Sequence, residues 1–137
     1  MVKEIMKDLL FLGRKAEAAT KEDRAIAEDL LDTLRAHRDH CVGMAANMIG
    51  EQKAIIAIVE GNRLTAMLNP EVVKKSPKTY KTVEGCLSIP GEREVERHDW
   101  IEVKYRDMDW HKEKRKFTGF KAEIIQHELD HLEGKLI

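Results

Sequence analysis

Lys121-Ala122-Glu123-Ile124-Ile125-Gln126-His127-Glu128-Leu129-Asp130-His131-Leu132-Glu133 is the stretch on which the fold turns. Its apolar residues recur with a helical period, and Gly134 directly behind them is a stop signal. The chain before it reads differently. Ala54 to Val59 is a β-branched apolar run, Glu60-Gly61-Asn62 a turn, and Arg63 to Leu68 a second strand. Asn69-Pro70 is expected to break that strand, with Glu71 to Lys75 as a third. Ile101 to Arg106 alternates apolar and charged residues, and Asp107-Met108-Asp109 turns it into a partner ending near Phe117. Further upstream, Thr20-Lys21-Glu22-Asp23 has the form of a capping box, and Ile26, Leu30 and Leu34 form one helical stripe beyond it. A helix, a β-rich middle and a closing helix predict an α+β fold rather than an alternating one.

Composition narrows the class. The 137 residues are one domain's worth, without repeat or linker, so a single domain over 1–137 is expected. Lys and Arg number 24 against 25 Asp and Glu, and aromatics are 5%. That balance argues against a general nucleic-acid or anionic-membrane binder and against base-stacking platforms. No apolar run approaches membrane-spanning length. Leu9 to Leu12 imitates a signal peptide only faintly, since charged residues crowd a four-residue apolar core. A non-secreted chain is expected to keep Cys41 and Cys86 as thiols or commit one to chemistry.

His127 and His131 stand at i and i+4, so both imidazoles share one helix face and can reach one metal ion. Glu128 lies between them, where a carboxylate can take a proton from a water at the ion's open position. Glu84-Gly85-Cys86-Leu87-Ser88-Ile89-Pro90-Gly91 places a thiol in a stiff turn, and Cys86 is the candidate third ligand. Three protein ligands with an open fourth position are a catalytic arrangement. A structural site would need a fourth Cys or His. His40, His98 and His111 form no spaced pattern with Cys86.

Three segments together resemble the peptide deformylases: Cys41-Val42-Gly43-Met44-Ala45-Ala46-Asn47-Met48, Glu84-Gly85-Cys86-Leu87-Ser88, and Gln126-His127-Glu128-Leu129-Asp130-His131. The resemblance implies antiparallel sheets packed around a C-terminal metal-binding helix, with a helix nearer the N-terminus. It implies hydrolysis of the N-formyl group from the first methionine of nascent polypeptides in the cytoplasm, releasing formate. Cys86, His127 and His131 carry over as ligands of one divalent ion, Fe(II) natively, with Zn or Ni able to take its place. Glu128 carries over as general base and then general acid, and the Leu87 N–H as a donor to the developing oxyanion. Val42 and Gly43 match the segment that pairs with the substrate as an added strand. Gly85, Ile124 and the His127 ring would line an apolar methionine pocket from which Glu123 is expected to turn away. Arg93 sits where a substrate-contacting arginine is found, and Gln126 and Asp130 are expected to support the ligands from behind.

Two positions depart from the family pattern. Cys41 stands where the first motif has glycine, and Met48 where it has a glutamine whose amide donates to the formyl oxygen. A thioether cannot donate. The alternative reading is therefore a weak or inactive relative that binds metal and peptide N-termini. The chain ends three residues after Gly134; a C-terminal extension for ribosome docking is not expected, leaving at most transient ribosome contact.

Overall fold

Ile55-Ile56-Ala57-Ile58 is continuously apolar because the strand it forms is covered on both faces. The computed structural model describes Met1–Ile137. Helices α1 (Leu9–Leu12), α2 (Arg24–Ala36) and α3 (Gly119–Leu132) accompany seven strands: β1 (Gly43–Ala45), β2 (Ile55–Glu60), β3 (Arg63–Lys75), β4 (Thr79–Gly85), β5 (Glu92–His98), β6 (Trp100–Arg106) and β7 (Lys112–Thr118). Five strands form one sheet in the order β1-β2-β3-β6-β7, and β4 and β5 form a separate hairpin. All pairings between strands are antiparallel.

The strand period of two assigns the two cores. Ile55, Ala57, Ala66 and Leu68 pack toward Ala27, Leu30 and Leu34 of α2. Ile56, Ile58, Met67, Ile101, Val103 and Phe117 pack toward Ala122, Ile125 and Leu132 of α3. The sheet is thus the middle of three layers, and α3 lies between it and the β4–β5 hairpin. An ion cluster anchors the start of α3. Glu60 at the end of β2 accepts from Arg115 Nη1 and Nη2 at 2.9 and 2.8 Å, and from Lys121 Nζ at 2.8 Å. The Arg115 bonds hold its carboxyl well below the usual range.

The α+β expectation and the closing helix match the structure. One local reading is corrected and one is refined. Asn69-Pro70 does not end a strand: β3 runs through it with a register shift between Leu68 and Glu71. Asn69 adopts φ 54° there, and its side chain accepts from Ala19 N–H at 2.7 Å and donates to Ala19 C=O at 2.9 Å. That exchange imitates a strand pairing, so the irregularity is absorbed. Thr20 N–H donates to Asp23 as the capping box requires, but the cap opens a 3-10 turn, Lys21–Asp23, that leads into α2. Strand β1 and the β4–β5 hairpin, with its alternating charged residues, were not anticipated.

Gly134 stops α3 at φ 81°, and a Cβ there would lie 2.6 Å from the Gly13 carbonyl oxygen. Gly61 has φ 61° but open space around it. Gly61→Ala should cost about 1 kcal/mol from backbone strain alone. Gly134→Ala should cost roughly twice that or more, because the N-terminal segment must also move. Urea unfolding of the two variants checks the difference; equal midpoints would refute it.

Candidate active site

The cleft lies where α3, the edge strand β1 and the end of β4 converge. Helical spacing puts His127 and His131 one turn apart, with ring Nε2 atoms 3.0 Å from each other. Cys86 follows β4 directly, and its Sγ and the two histidine nitrogens all lie within 4.8 Å of one another. Both histidines are buried and Cys86 is half-buried. Ring nitrogens held about 2 Å from a common tetrahedral ion stand about 3.3 Å apart, close to what is seen.

Glu84 holds this arrangement from behind. Its Oε1 accepts from His127 Nδ1 at 2.7 Å, which leaves Nε2 as the nitrogen facing Cys86 and His131. Arg97 donates Nε and Nη2 to the two Glu84 oxygens at 3.0 and 2.6 Å, and Nη1 to Asp130 at 2.6 Å. Burial alone would raise the Glu84 carboxyl; the bonds from His127 and Arg97 win and hold it at about 2. Burial opposes charge on His127, yet its contacts with Cys86 and Glu84 push its pKa up to about 10. His131 is driven down to about 3 by burial and by the charge on His127. Burial pushes Glu128 up to about 7, against the pull of His127.

Two orphaned atoms mark what the site can take. Glu128 Oε1 and His131 Nδ1 are buried without a hydrogen-bond partner. A soft thiolate and two imidazoles facing one point, beside an unpaired carboxylate oxygen, fit a divalent ion with one position left open. Gly43 allows the approach: a Cβ there would fall 2.6 Å from Ile124 Cγ2 and 3.0 Å from Glu128 Oε2.

The cleft encloses about 320 Å³ and is lined by Val42, Gly43, Gly85, Leu87, Ile124, His127 and Glu128 among others. Leu87 N–H donates to no group of the chain. Met48 and Cys41 also face the cleft. The Met48 sulfur accepts from Ala45 N–H at 3.5 Å, and the Cys41 thiol donates to Gly43 C=O at 3.0 Å while burial raises its pKa to about 12. Gln126 clamps α3 to His98, accepting from its N–H at 2.8 Å and donating to its C=O at 2.9 Å. Asp130 reaches the site through Arg97. Arg93 donates Nη2 to Pro90 C=O at 2.9 Å, beside the Cys86 turn, while its buried Nη1 has no partner in the chain. Glu123 is a correction: it faces the cleft rather than turning away.

The comparisons bear on this geometry directly. A family model described as polypeptide deformylase matches residues 7–137. A peptide deformylase from Clostridium beijerinckii is 53% identical over 137 residues, the whole length of both chains. This chain belongs to the polypeptide deformylase family. Solved peptide deformylases from Acinetobacter baumannii and Thermotoga maritima superpose with TM-scores of 0.89 at 30% identity, covering 99% of this chain and 97% and 95% of theirs. The expected deformylase fold is therefore present, and this deformylase carries a Cys/His/His group able to hold a metal ion.

Arg97 and Asn47 were missed by sequence reasoning. Arg97 is one of many charges on an alternating strand, and its burial comes from α3, whose Asp130 it meets beside Glu84. Asn47 donates Nδ2 to the His131 carbonyl at 2.9 Å, tying the Ala46–Ile49 turn to the ligand helix. Glu84 lies in the Glu84–Ser88 motif, but the sequence does not show its partners. Glu84→Gln keeps the shape and loses the carboxylate that orients His127. Metal affinity should fall about 10–100-fold, read by competition with a chromophoric chelator. Unchanged affinity would remove Glu84 from the site's support.

Proposed function

We propose that Cys86, His127 and His131 hold one divalent ion in this deformylase and that Glu128 moves the protons of the reaction. The activity is that of a peptide deformylase: the N-formyl group of an N-terminal methionine is hydrolysed and formate released. The observation that carries the assignment of roles is the unpartnered, buried Glu128 oxygen beside three facing donor atoms at the inner end of an open cleft. The protein acts as one domain over 1–137, with Fe(II) as native ion and Zn or Ni as substitutes, on formylated nascent peptides in the cytoplasm. Ribosome contact is transient, and no specific nucleic-acid binding takes part. No helix is long and apolar enough to cross a membrane.

The bound ion supplies Lewis-acid polarisation of the formyl carbonyl and a more acidic water. The chain's own residues do the rest. The substrate lies extended along the free side of β1, whose other side is paired with β2, so Val42 and Gly43 offer it backbone groups. Glu128 accepts a proton from the attacking water and passes it to the departing amine. Its Oε1 has no partner in the chain, so it is free to take the proton and give it up again. The free Leu87 N–H is a preorganised donor for the carbonyl oxygen as charge builds on it. Gly85, Ile124 and the His127 ring flank the methionine side chain.

Two outcomes test these roles after anaerobic reconstitution with Fe(II), using formate release from a formyl-Met peptide. Glu128→Gln should retain the metal and lose most turnover, about 10²-fold or more in kcat; parental turnover would overturn the proton-transfer role. Met48→Gln should raise kcat by about 10–10³-fold with a smaller effect on KM. Its carbonyl can keep the Ala45 N–H that the sulfur now accepts, leaving the amide to donate into the cleft. An unchanged or lower kcat would show that the present site already has its full set of donors.

A further inference from the structure

The cleft wall beyond the ligands mixes apolar residues with His40, Glu84 and Glu123. Along α3, Phe120, Glu123, Ile124 and His127 all face the cleft, with Val83 and Gly85 across from them. Glu123 lies four residues before His127, about 6 Å along the helix axis. Neighbouring Glu84 has both oxygens engaged by Arg97 and His127. Glu123 forms no salt bridge; its Oε1 accepts from the Tyr80 hydroxyl at 3.0 Å, and its carboxyl lies against that of Glu84. Burial, together with that neighbour, raises its pKa and makes a ligand cation there favourable. The wall thus presents a carboxyl without a salt-bridge cation, held between the Tyr80 hydroxyl and Glu84, on the way out from the Cys86, His127 and His131 group.

We propose that Glu123 is a specificity-determining residue that receives a cationic end on the side chain of the formylated first residue. The inference rests on the deformylase reading of the cleft. A four-carbon stem is about as long as the step from His127 to Glu123, so Val83, Ile124 and Phe120 cover the methylenes while the carboxylate meets the ammonium. Methionine fits the same cleft without that pairing. A lysine-like first residue is therefore accepted beside methionine, against the expectation of an apolar pocket that rejects charge.

The test compares formyl-lysyl-Ala-Ser with formyl-norleucyl-Ala-Ser, which share a stem and differ by the ammonium group. The readout is the lysyl-to-norleucyl ratio of kcat/KM in the Fe(II)-loaded protein, in Glu123→Gln and in Glu123→Leu. A ratio cancels differences in folding and metal loading. It should fall about tenfold or more in Glu123→Leu, with Glu123→Gln between. A ratio unchanged within about twofold across the three proteins overturns the proposal. Calorimetric binding of unformylated Lys-Ala-Ser and norleucyl-Ala-Ser to the metal-loaded proteins separates the two readings. If formate is never released yet the affinity ratio shifts with Glu123, the specificity role stands and the deformylase reading fails; if the affinity ratio also stays constant, the specificity role fails.

Discussion

One buried carboxylate, Glu84, joins three pieces of chain that are far apart in sequence. It belongs to β4, takes two hydrogen bonds from Arg97 on β5 and one from His127 on α3. Taking a carboxylate and a guanidinium out of water is costly, and their attraction offsets that only when geometry is good and every lone pair is used. Here the pairing is bidentate and a third acceptor, Asp130, takes the remaining guanidinium arm. Such a network adds little net stability compared with an apolar replacement. Its effect is to fix a distance: the hairpin cannot slide along α3 without uncovering a charge. Cys86 is two residues beyond Glu84, so its position against the histidines is set by the same constraint.

The other wall of the cleft depends on packing. Alternating residues of β2 bury Ile55 and Ala57 under α2, and Ile56 and Ile58 under α3. This double burial places the sheet, and with it the edge strand β1, at a defined height beside the ligand helix. Gly43 then permits contact between β1 and α3 too close for any Cβ. Glu128, the Cys86/His127/His131 group and a free strand edge meet because a dispersive core and an ionic clamp act on opposite sides of one helix. Glu60, bonded to Arg115 and Lys121, ties down that helix's first turn.

The same geometry explains the departures. Met48 is almost fully buried, with its sulfur turned to a backbone N–H, so the turn that carries it keeps its shape without the family's amide. The free Leu87 N–H is a backbone group and survives side-chain change. Tyr80, the partner of Glu123, lies on the β4–β5 hairpin, 43 residues away in sequence.

Local pattern determined much of this protein. The period of Lys121 to Glu133 required a helix, the i, i+4 histidines required a shared face, and the turn around Cys86 required a stiff loop, since each depends only on neighbouring residues. The apolar run at Ala54 to Val59 announced a buried strand for the same reason. Tertiary structure decided which charges turn inward. Nothing local separates Arg97 from Arg93: both lie on one face of β5, and the register even sets Arg93 opposite Glu84, yet α3 packs over Arg97 and brings Asp130 to it, while Arg93 bonds back to Pro90. Glu123 faces the cleft because the hairpin brings the Tyr80 hydroxyl that holds it there, a partner its own helix does not supply. Burial and partners are sums over distant segments, and one segment's pattern does not contain them.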